Sequence, residues 1–115
     1  MNNTEAWRLI PLTGTESQVE WAERIRVLVN AEFERVAAAF RSVGEKQSSE
    51  KRADTAVIIA ILEEIRMDVL SRNQAGYFIH DWQEIGDQVR QMIGRDGRYQ
   101  AIQAKRAPGG GETKC

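Results

Sequence analysis

Residues 13–40 read TGTESQVEWAERIRVLVNAEFERVAAAF, and this stretch has the start signal and the periodicity of a long α-helix. Thr15 can accept a hydrogen bond from the backbone of Gln18, whose side chain can reach back to the Thr15 amide in a capping box. Glu16 and Glu20 lie near the positive end of the helix dipole, which favours carboxylates. The sequence therefore predicts that a helix begins just after Thr15.

One face of this predicted helix is apolar, because apolar residues recur every three or four positions. They are Ala22, Ile25, Val29, Phe33, Val36 and Phe40. Trp21 and Leu28, seven residues apart, flank this stripe and are predicted to widen it, with Trp21 as a core anchor. Charged residues fill much of the remaining circumference and are predicted to face solvent: Glu23, Arg24, Arg26, Glu34 and Arg35.

Length and composition limit the function classes. A chain of 115 residues with a formal net charge of -1 predicts one soluble domain and gives no global argument for nucleic-acid binding. No secretory signal and no run of about 18 apolar residues is found, so the predicted location is the cytoplasm. The only cysteine is Cys115, which excludes an internal disulfide and a cysteine-based zinc site within one chain.

Two further elements adjoin the long helix. Residues 1–14 are predicted to form an extended arm that packs on its base, and Trp7 is predicted to become an interface residue if it is left exposed. After a polar loop, Ser48 or Ser49 can cap a second helix. The segment that follows, residues 53–70, is apolar almost all round in VIIAIL, so it is predicted to be the most buried element.

The C-terminal half predicts a third helix and a tail. Asp81 with Glu84 matches a capping box, so the third helix is predicted to start near Trp82, while residues 77–79 plug the core between helices. A short helix can follow the turn at Asp96. The predicted fold is all-α: a compact bundle of three main helices in residues 1–107, with the N-terminal arm, a short C-terminal helix, and a disordered tail at 108–115.

No catalytic constellation is visible in the sequence. His80 is the only histidine, so a histidine metal cluster within one chain is excluded, and a structural role is favoured over that of a catalytic base. Glu63, Glu64 and Asp68 lie on an amphipathic helix, where a solvated rim is favoured over a two-carboxylate site. No metal and no cofactor are predicted.

The last third of the chain is locally basic. We define the C-terminal basic set as Arg90, Arg95, Arg98, Tyr99, Lys105 and Arg106. Arginine and lysine next to an aromatic residue that can stack on a base are typical of nucleic-acid binding. A solvated basic face is the alternative, because lysine and arginine are common near helix ends.

Two short patterns resemble a known group of proteins. The run LTGTESQVEWAERIR, residues 12–26, resembles a segment written roughly L-T-G-[ST]-x-x-Q-x-x-W-A-x-x-I-R. That segment occurs in small proteins of phages, plasmids and other mobile elements, including some type I anti-CRISPR proteins. An A-x-aromatic-aromatic-I-D-x-R pattern often follows it there. Residues 75–79 here fit the start of that second pattern, whereas His80 replaces its aspartate and Trp82 its arginine.

The resemblance implies a shared helical scaffold and a protein of a phage or mobile element that works by binding. The leading hypothesis is a non-enzymatic, anti-CRISPR-like inhibitor that occludes a surface of a host CRISPR-Cas complex. With the long helix predicted within residues 13–40 labelled α1, we define the α1 charged set as its candidate contacts: Glu20, Glu23, Arg24, Glu34 and Arg35. The alternatives are nucleic-acid binding through the C-terminal basic set, and self-assembly through the second helix at Ile58, Ile61 or Ile65.

Overall fold

The longest element of the structure, α1 (Glu16–Gly44), begins at the predicted N-cap. Gln18 N donates to Thr15 Oγ1 at 3.2 Å, and the Thr15 amide donates to Gln18 Oε1 at 3.0 Å. Both halves of the predicted capping box are therefore present, and they satisfy two amides that a helix start leaves unpaired.

The structure is a computed structural model that describes residues 3–106. A 3-10 helix (Asn3–Leu9) precedes α1, and four more helices follow: α2 (Ser49–Leu70), α3 (Ala75–Asp81), α4 (Ile85–Gly94) and α5 (Gly97–Arg106). Over residues 3–106 there is no β-strand, which confirms the predicted all-α class. In the same range, no helix is both long and apolar enough to cross a membrane. The predicted disordered tail, 108–115, lies outside the described residues.

The predicted third helix is wrong in its position. Residues 77–79, predicted to be a linker, belong to α3, and α4 begins only at Ile85. Trp82 lies between the two helices with non-helical backbone angles, and its ring meets the edge of Phe33 with 6.1 Å between centroids. The helix at residues 75–81 was thus not predicted, and the helix predicted from near Trp82 begins at Ile85. Glu84 is the N-cap of α4 and makes no side-chain capping bond.

The core lies where α1 meets α2, α3 and α4. Most of the predicted α1 stripe contributes to it: Ala22, Val29, Phe33 and Val36 are buried, while Ile25 and Phe40 are half-buried and pack against the cluster. Phe78 of α3 and Trp82 are buried as well. The periodicity of residues 22–40 therefore identified the face of α1 that carries the core.

Two predictions about burial are wrong. Trp21 and Leu28 each leave 57% of their surface exposed, so they do not widen the core contact. Val57 and Met67 of the second helix are exposed as well, whereas Ile58 is fully buried. In both helices the core takes one stripe, and the extra apolar residues lie on the outer surface.

One arginine of α1 is buried, although it was predicted to face solvent. Arg26 is 1% exposed, and its Nη1 donates to the backbone oxygen of Ile10 at 2.8 Å while its Nη2 bonds Glu23 at 3.0 Å. Its guanidinium also lies 5.3 Å from the ring centre of Trp7. Since a buried charge is tolerated only when it is paired, this site fixes the N-terminal segment onto α1. The predicted solvent position of Arg26 is wrong.

The N-terminal segment differs from the predicted arm in conformation. It begins as the 3-10 helix Asn3–Leu9 and is not extended there. Trp7 and Leu12 are buried, whereas Leu9 is exposed. Trp7 is therefore a core residue of the structure and does not meet the condition for an exposed interface residue.

Candidate functional site

The two sequence patterns meet in space at the start of α1. The Thr13 amide donates to the oxygen of Asn73 at 2.7 Å, and the Ala75 amide donates to the oxygen of Thr13 at 2.9 Å. Gly14 adopts φ +149°, and a Cβ there would stand 3.1 Å from Cβ of Ala75. A side chain larger than hydrogen would therefore force α1 and α3 apart. This close approach explains why position 14 is a glycine and position 75 a small residue.

Most positions of the first pattern have a structural role. Thr15 and Gln18 form the cap, Ala22 is buried in the core, and Arg26 holds the N-terminal segment. Trp21 differs, because its side chain is mostly exposed. It is thus the prominent residue of the pattern whose side chain is available to a partner.

Trp21 belongs to a continuous outer face of α1. At about 100° per residue, position 28 returns to within about 20° of position 21, and positions 35, 39 and 43 lie within about 40° of it. Leu28 and Val43 on this line are both exposed. The line from Trp21 to Val43 is about 33 Å long at 1.5 Å per residue. We call this line the outer face of α1.

The structure divides the α1 charged set between two edges of the helix. Glu20 and Arg24 flank Trp21 and pair with each other at 3.7 Å, both with highly exposed side chains. Glu23 instead pairs with the buried Arg26, and Glu34 reaches Arg66 of α2 at 3.7 Å. Glu20 and Arg24 are therefore placed to contact a partner, whereas Glu23 and Glu34 mainly support buried arginines.

The second buried arginine, Arg66, lies on α2 and was missed by sequence reasoning. Its Nε donates to Asn30 Oδ1 at 2.8 Å, and its Nη1 bonds Glu63 at 3.1 Å. Glu63 also lies 3.7 Å from Arg41 of α1. This network joins α1 to α2 and accounts for Glu63 as a structural carboxylate. The signal in the sequence was an arginine at a stripe position of α2, four residues after Leu62.

A groove of about 300 Å³ opens between α1, α4 and α5 at the C-terminal half of the outer face. Its lining is apolar except for two arginines and one phenol: Arg35, Val36, Ala39, Phe40, Val43, Arg90, Ile93 and Tyr99. The groove brings Arg35 of the α1 charged set together with Arg90 and Tyr99 of the C-terminal basic set. Sequence reasoning had assigned these residues to separate functions.

The charges at the rim of the groove interact. Arg35 Nε donates to Glu32 Oε1 at 3.0 Å, and Arg35 Nη2 contacts Glu32 Oε2. The hydrogen bonds from Arg35, together with the charge of Arg90, hold the pKa of Glu32 below its ordinary value against the opposing effect of burial. Gly86, one turn before Arg90 on α4, lies next to Glu32, with 3.7 Å from an added Cβ to Glu32 Oε2, so both arginines lie at the same end of the groove.

Most of the remaining C-terminal basic set is paired within the chain. Arg98 makes a two-bond contact with Glu64 of α2, at 2.9 and 3.1 Å, and also bonds Asp96. These bonds lower the pKa of Glu64. Lys105 bonds Asp54 at 2.9 Å, and Arg106 bonds Thr55 at 3.2 Å. Such pairs dock α5 on α2 and offset the positive charge that a phosphate backbone would require.

Two other sets of predicted residues take structural positions. Ile58 and Ile61 are fully buried inside the chain, so the structure contradicts them as contacts between copies, and Ile65 is half-buried against the core. His80 is exposed on α3. Over residues 3–106, no group of three or more His, Cys, Asp or Glu side chains is arranged to hold a metal ion.

Comparison of the chain with protein-family models, with curated proteins and with solved structures gave no match. The geometry of α1 and its neighbours is therefore the starting point for a functional proposal.

Proposed function

We propose that this chain is a binding protein that acts through the outer face of α1. The partner proposed first, following the resemblance of residues 12–26, is a host CRISPR-Cas complex whose surface the chain occludes as an anti-CRISPR-like inhibitor of a phage or mobile element. The observation that carries the binding role is the exposure of Trp21 and Leu28 on one line of α1.

Tryptophan is enriched among the residues that dominate binding energy, because it buries a large apolar area on association. An exposed tryptophan next to an exposed leucine has an unfavourable contact with water that a partner would remove. Glu20 and Arg24 beside Trp21 supply a polar rim, which is the usual surround of such an apolar centre. This arrangement supports recognition of a protein surface.

The size of the outer face supports the same proposal. A stable protein–protein interface covers about 800 Å² on each partner. The outer face is about 33 Å long, and α4 lies along its C-terminal half, because Gly86 approaches Glu32 and Ile93 lines the groove with Val36. A rigid helix with a neighbouring helix offers a preorganised surface, which reduces the entropic cost of association.

The test is a pull-down of the purified full chain from a lysate that expresses a type I CRISPR surveillance complex, repeated after nuclease treatment. We expect nuclease-resistant recovery of Cas subunits, lost in Trp21→Ala. Met67→Ala is the matched control, since Met67 is a similarly exposed apolar residue on α2. Equal recovery with both variants would remove Trp21 from the interface. Recovery of nothing would remove the CRISPR assignment.

Nucleic-acid binding is proposed second, and Arg90 and Arg95 are its best-placed residues. Both are exposed; Arg90 lies 4.0 Å from Asp87, and Arg95 contacts the uncharged Gln91 at 3.5 Å. If the chain binds nucleic acid, the material recovered in the pull-down is nuclease-sensitive, and binding to free DNA or RNA falls steeply with salt. An Arg90→Gln, Arg95→Gln double variant then binds less nucleic acid, while Trp21→Ala binds as much as the unaltered chain.

A further inference from the structure

The groove between α1, α4 and α5 has one polar end and one apolar end. It extends along α1 from Arg35 to Val43, which is about 12 Å at 1.5 Å per residue. Arg35 bonds Glu32, and Gly86, one turn before Arg90 on α4, approaches the same carboxylate, with 3.7 Å from an added Cβ to Glu32 Oε2, so both arginines lie at the first end. The other lining side chains, including Val36, Phe40 and Val43, are apolar apart from the phenol of Tyr99. A molecule that matches this groove must also have one polar end and an apolar body.

The polar end is built to meet an anion. Arg35 uses Nε and Nη2 on Glu32, so Nη1 is left for another acceptor. Among the described residues, Arg90 has one ionic contact, to Asp87 Oδ1 at 4.0 Å, which is too long for a hydrogen bond. The carboxylate of Glu32 at this end is already bound to Arg35, and no carboxylate is among the residues that line the groove. Two guanidinium groups with unused donors favour a carboxylate, which accepts such bonds in pairs.

The body of the groove selects an aliphatic chain or an aryl group. Its volume, about 300 Å³, is at the lower limit of ordinary small-molecule sites, which are likewise mostly apolar with a few polar groups that fix orientation. A nucleotide or a sugar would place polar groups against Val36, Phe40 and Val43 without partners, at a cost in desolvation.

We propose that this groove binds a small monocarboxylate with an apolar body, its carboxylate at Arg90 and Arg35 and its body along α1 towards Val43. The groove shares Arg35, Ala39 and Val43 with the outer face of α1 but does not include Trp21 or Leu28. Its proposed ligand is a small molecule, so the site goes beyond the proposed protein-binding function.

The test is an NMR titration of the isotope-labelled full chain with three probes of equal chain length: octanoate, octan-1-ol and octylamine. We expect octanoate to bind with a dissociation constant on the order of a millimolar, given its few heavy atoms. Its shifts should concentrate at residues 35–43 of α1 and at Ile93 and Tyr99. Octan-1-ol should bind about tenfold more weakly, and octylamine should give no saturable shifts at the groove.

Matched variants separate the head-group site from the apolar body. Arg90→Gln should weaken octanoate binding about tenfold and leave octan-1-ol binding unchanged. Arg95 is an exposed arginine at the C-terminal end of α4 and lies outside the groove, so Arg95→Gln should change the affinity for neither ligand. Ala39→Phe, at an exposed helix position that lines the groove, should block both ligands. Circular dichroism checks that each variant folds.

Three results would overturn the proposal. Equal affinity for octanoate and octan-1-ol would remove the carboxylate site. An equal loss of octanoate affinity in Arg90→Gln and Arg95→Gln would attribute the effect to the net charge of the protein and not to the groove. Shifts centred on Trp21 and Leu28 instead of residues 35–43 would place the ligand on another surface. The pull-down with Trp21→Ala is unaffected by any of these results, so the two proposals fail separately.

Discussion

The two sides of α1 contrast in a way that residue type alone does not suggest. On the inner side, Arg26 is 1% exposed, and Arg66 of α2 is 2% exposed against Asn30. On the outer side, Trp21 and Leu28 are each 57% exposed. Charged residues are thus inside and a large aromatic residue is outside, against the usual preference of each type.

The contrast shows that burial of a charge depends on the partners that the fold provides. Arg26 meets the backbone oxygen of Ile10 and the carboxylate of Glu23, and Arg66 meets Asn30 and Glu63. Most of the Trp21 side chain is instead exposed. The inner contacts hold the fold together, and the outer residues are available for binding.

The largest effect is expected at Arg66. Arg66→Ala leaves Asn30 Oδ1 without its donor and Glu63 without its nearest cation, and it opens a void between α1 and α2. Breaking a buried charged network of this kind costs about 3 kcal/mol of unfolding free energy. Urea denaturation measures the change. Arg24→Ala removes an exposed arginine from α1 and should change stability by less than about 0.5 kcal/mol; similar losses in both would contradict the contrast.

A smaller loss is expected at Arg26. Arg26→Ala removes the donor to the Ile10 oxygen and the cation beside Trp7, which should cost about 2 kcal/mol. The effect should be local, because this arginine joins the N-terminal segment to α1. Hydrogen exchange of the Ile10 amide, which donates to the Trp7 oxygen at 3.1 Å, should accelerate far more than exchange within α2. Uniform acceleration would show that the segment unfolds only with the whole domain.

The junction of α1 and α3 should be sensitive to one added methyl group. Gly14→Ala brings Cβ to 3.0 Å from Gln18 Oε1 and 3.1 Å from Ala75 Cβ, at a φ that side chains rarely adopt. We expect a loss of about 1 to 2 kcal/mol. Gly94→Ala is the control, since nothing lies within 4 Å of its added Cβ; it should be neutral or slightly stabilising. The midpoints of thermal unfolding compare the two variants.

The exposed ion pairs of α5 should contribute less, and in a pH-dependent way. The Arg98 hydrogen bonds lower the pKa of Glu64 below its ordinary 4.5. A carboxylate with a lowered pKa stabilises the fold above its unfolded pKa, and this contribution is lost as the pH falls through the folded value. Glu64→Gln should therefore be slightly less stable than the unaltered chain at pH 7, and the difference should shrink as the pH falls below 4.5. A difference that does not change with pH would assign the effect to packing.

The sequence predicted the features that depend on neighbours along the chain. The Thr15–Gln18 capping box and the stripe from Ala22 to Val36 are local patterns, and both are present in the structure. The prediction of a helical fold class followed from such local patterns. Such patterns report which residues are apolar and how often they recur, and this information is enough to place a helix and its buried face.

Features that depend on distant contacts were not predictable in this way. Trp82, at the break between α3 and α4, packs on Phe33, which lies 49 positions earlier in the chain. The groove needs Arg35 and Arg90 from different helices, so no single segment shows it. Burial of Arg26 needs the oxygen of Ile10, which the N-terminal segment supplies only after it folds back. Periodicity within one helix contains no information about these partners.

The smallest effect on stability is expected at Trp21, and for that reason it separates folding from binding most clearly. Trp21→Gln replaces a mostly exposed ring on α1 with a good helix former, so the free energy of unfolding should change by no more than about 0.5 kcal/mol. Urea denaturation checks this value. A loss above about 2 kcal/mol would mean that the ring packs on the fold after all, and an effect of Trp21→Ala on partner recovery would then be explained by instability. If stability is retained, that loss of recovery reports the interface itself, because the inner contacts of α1 are all intact.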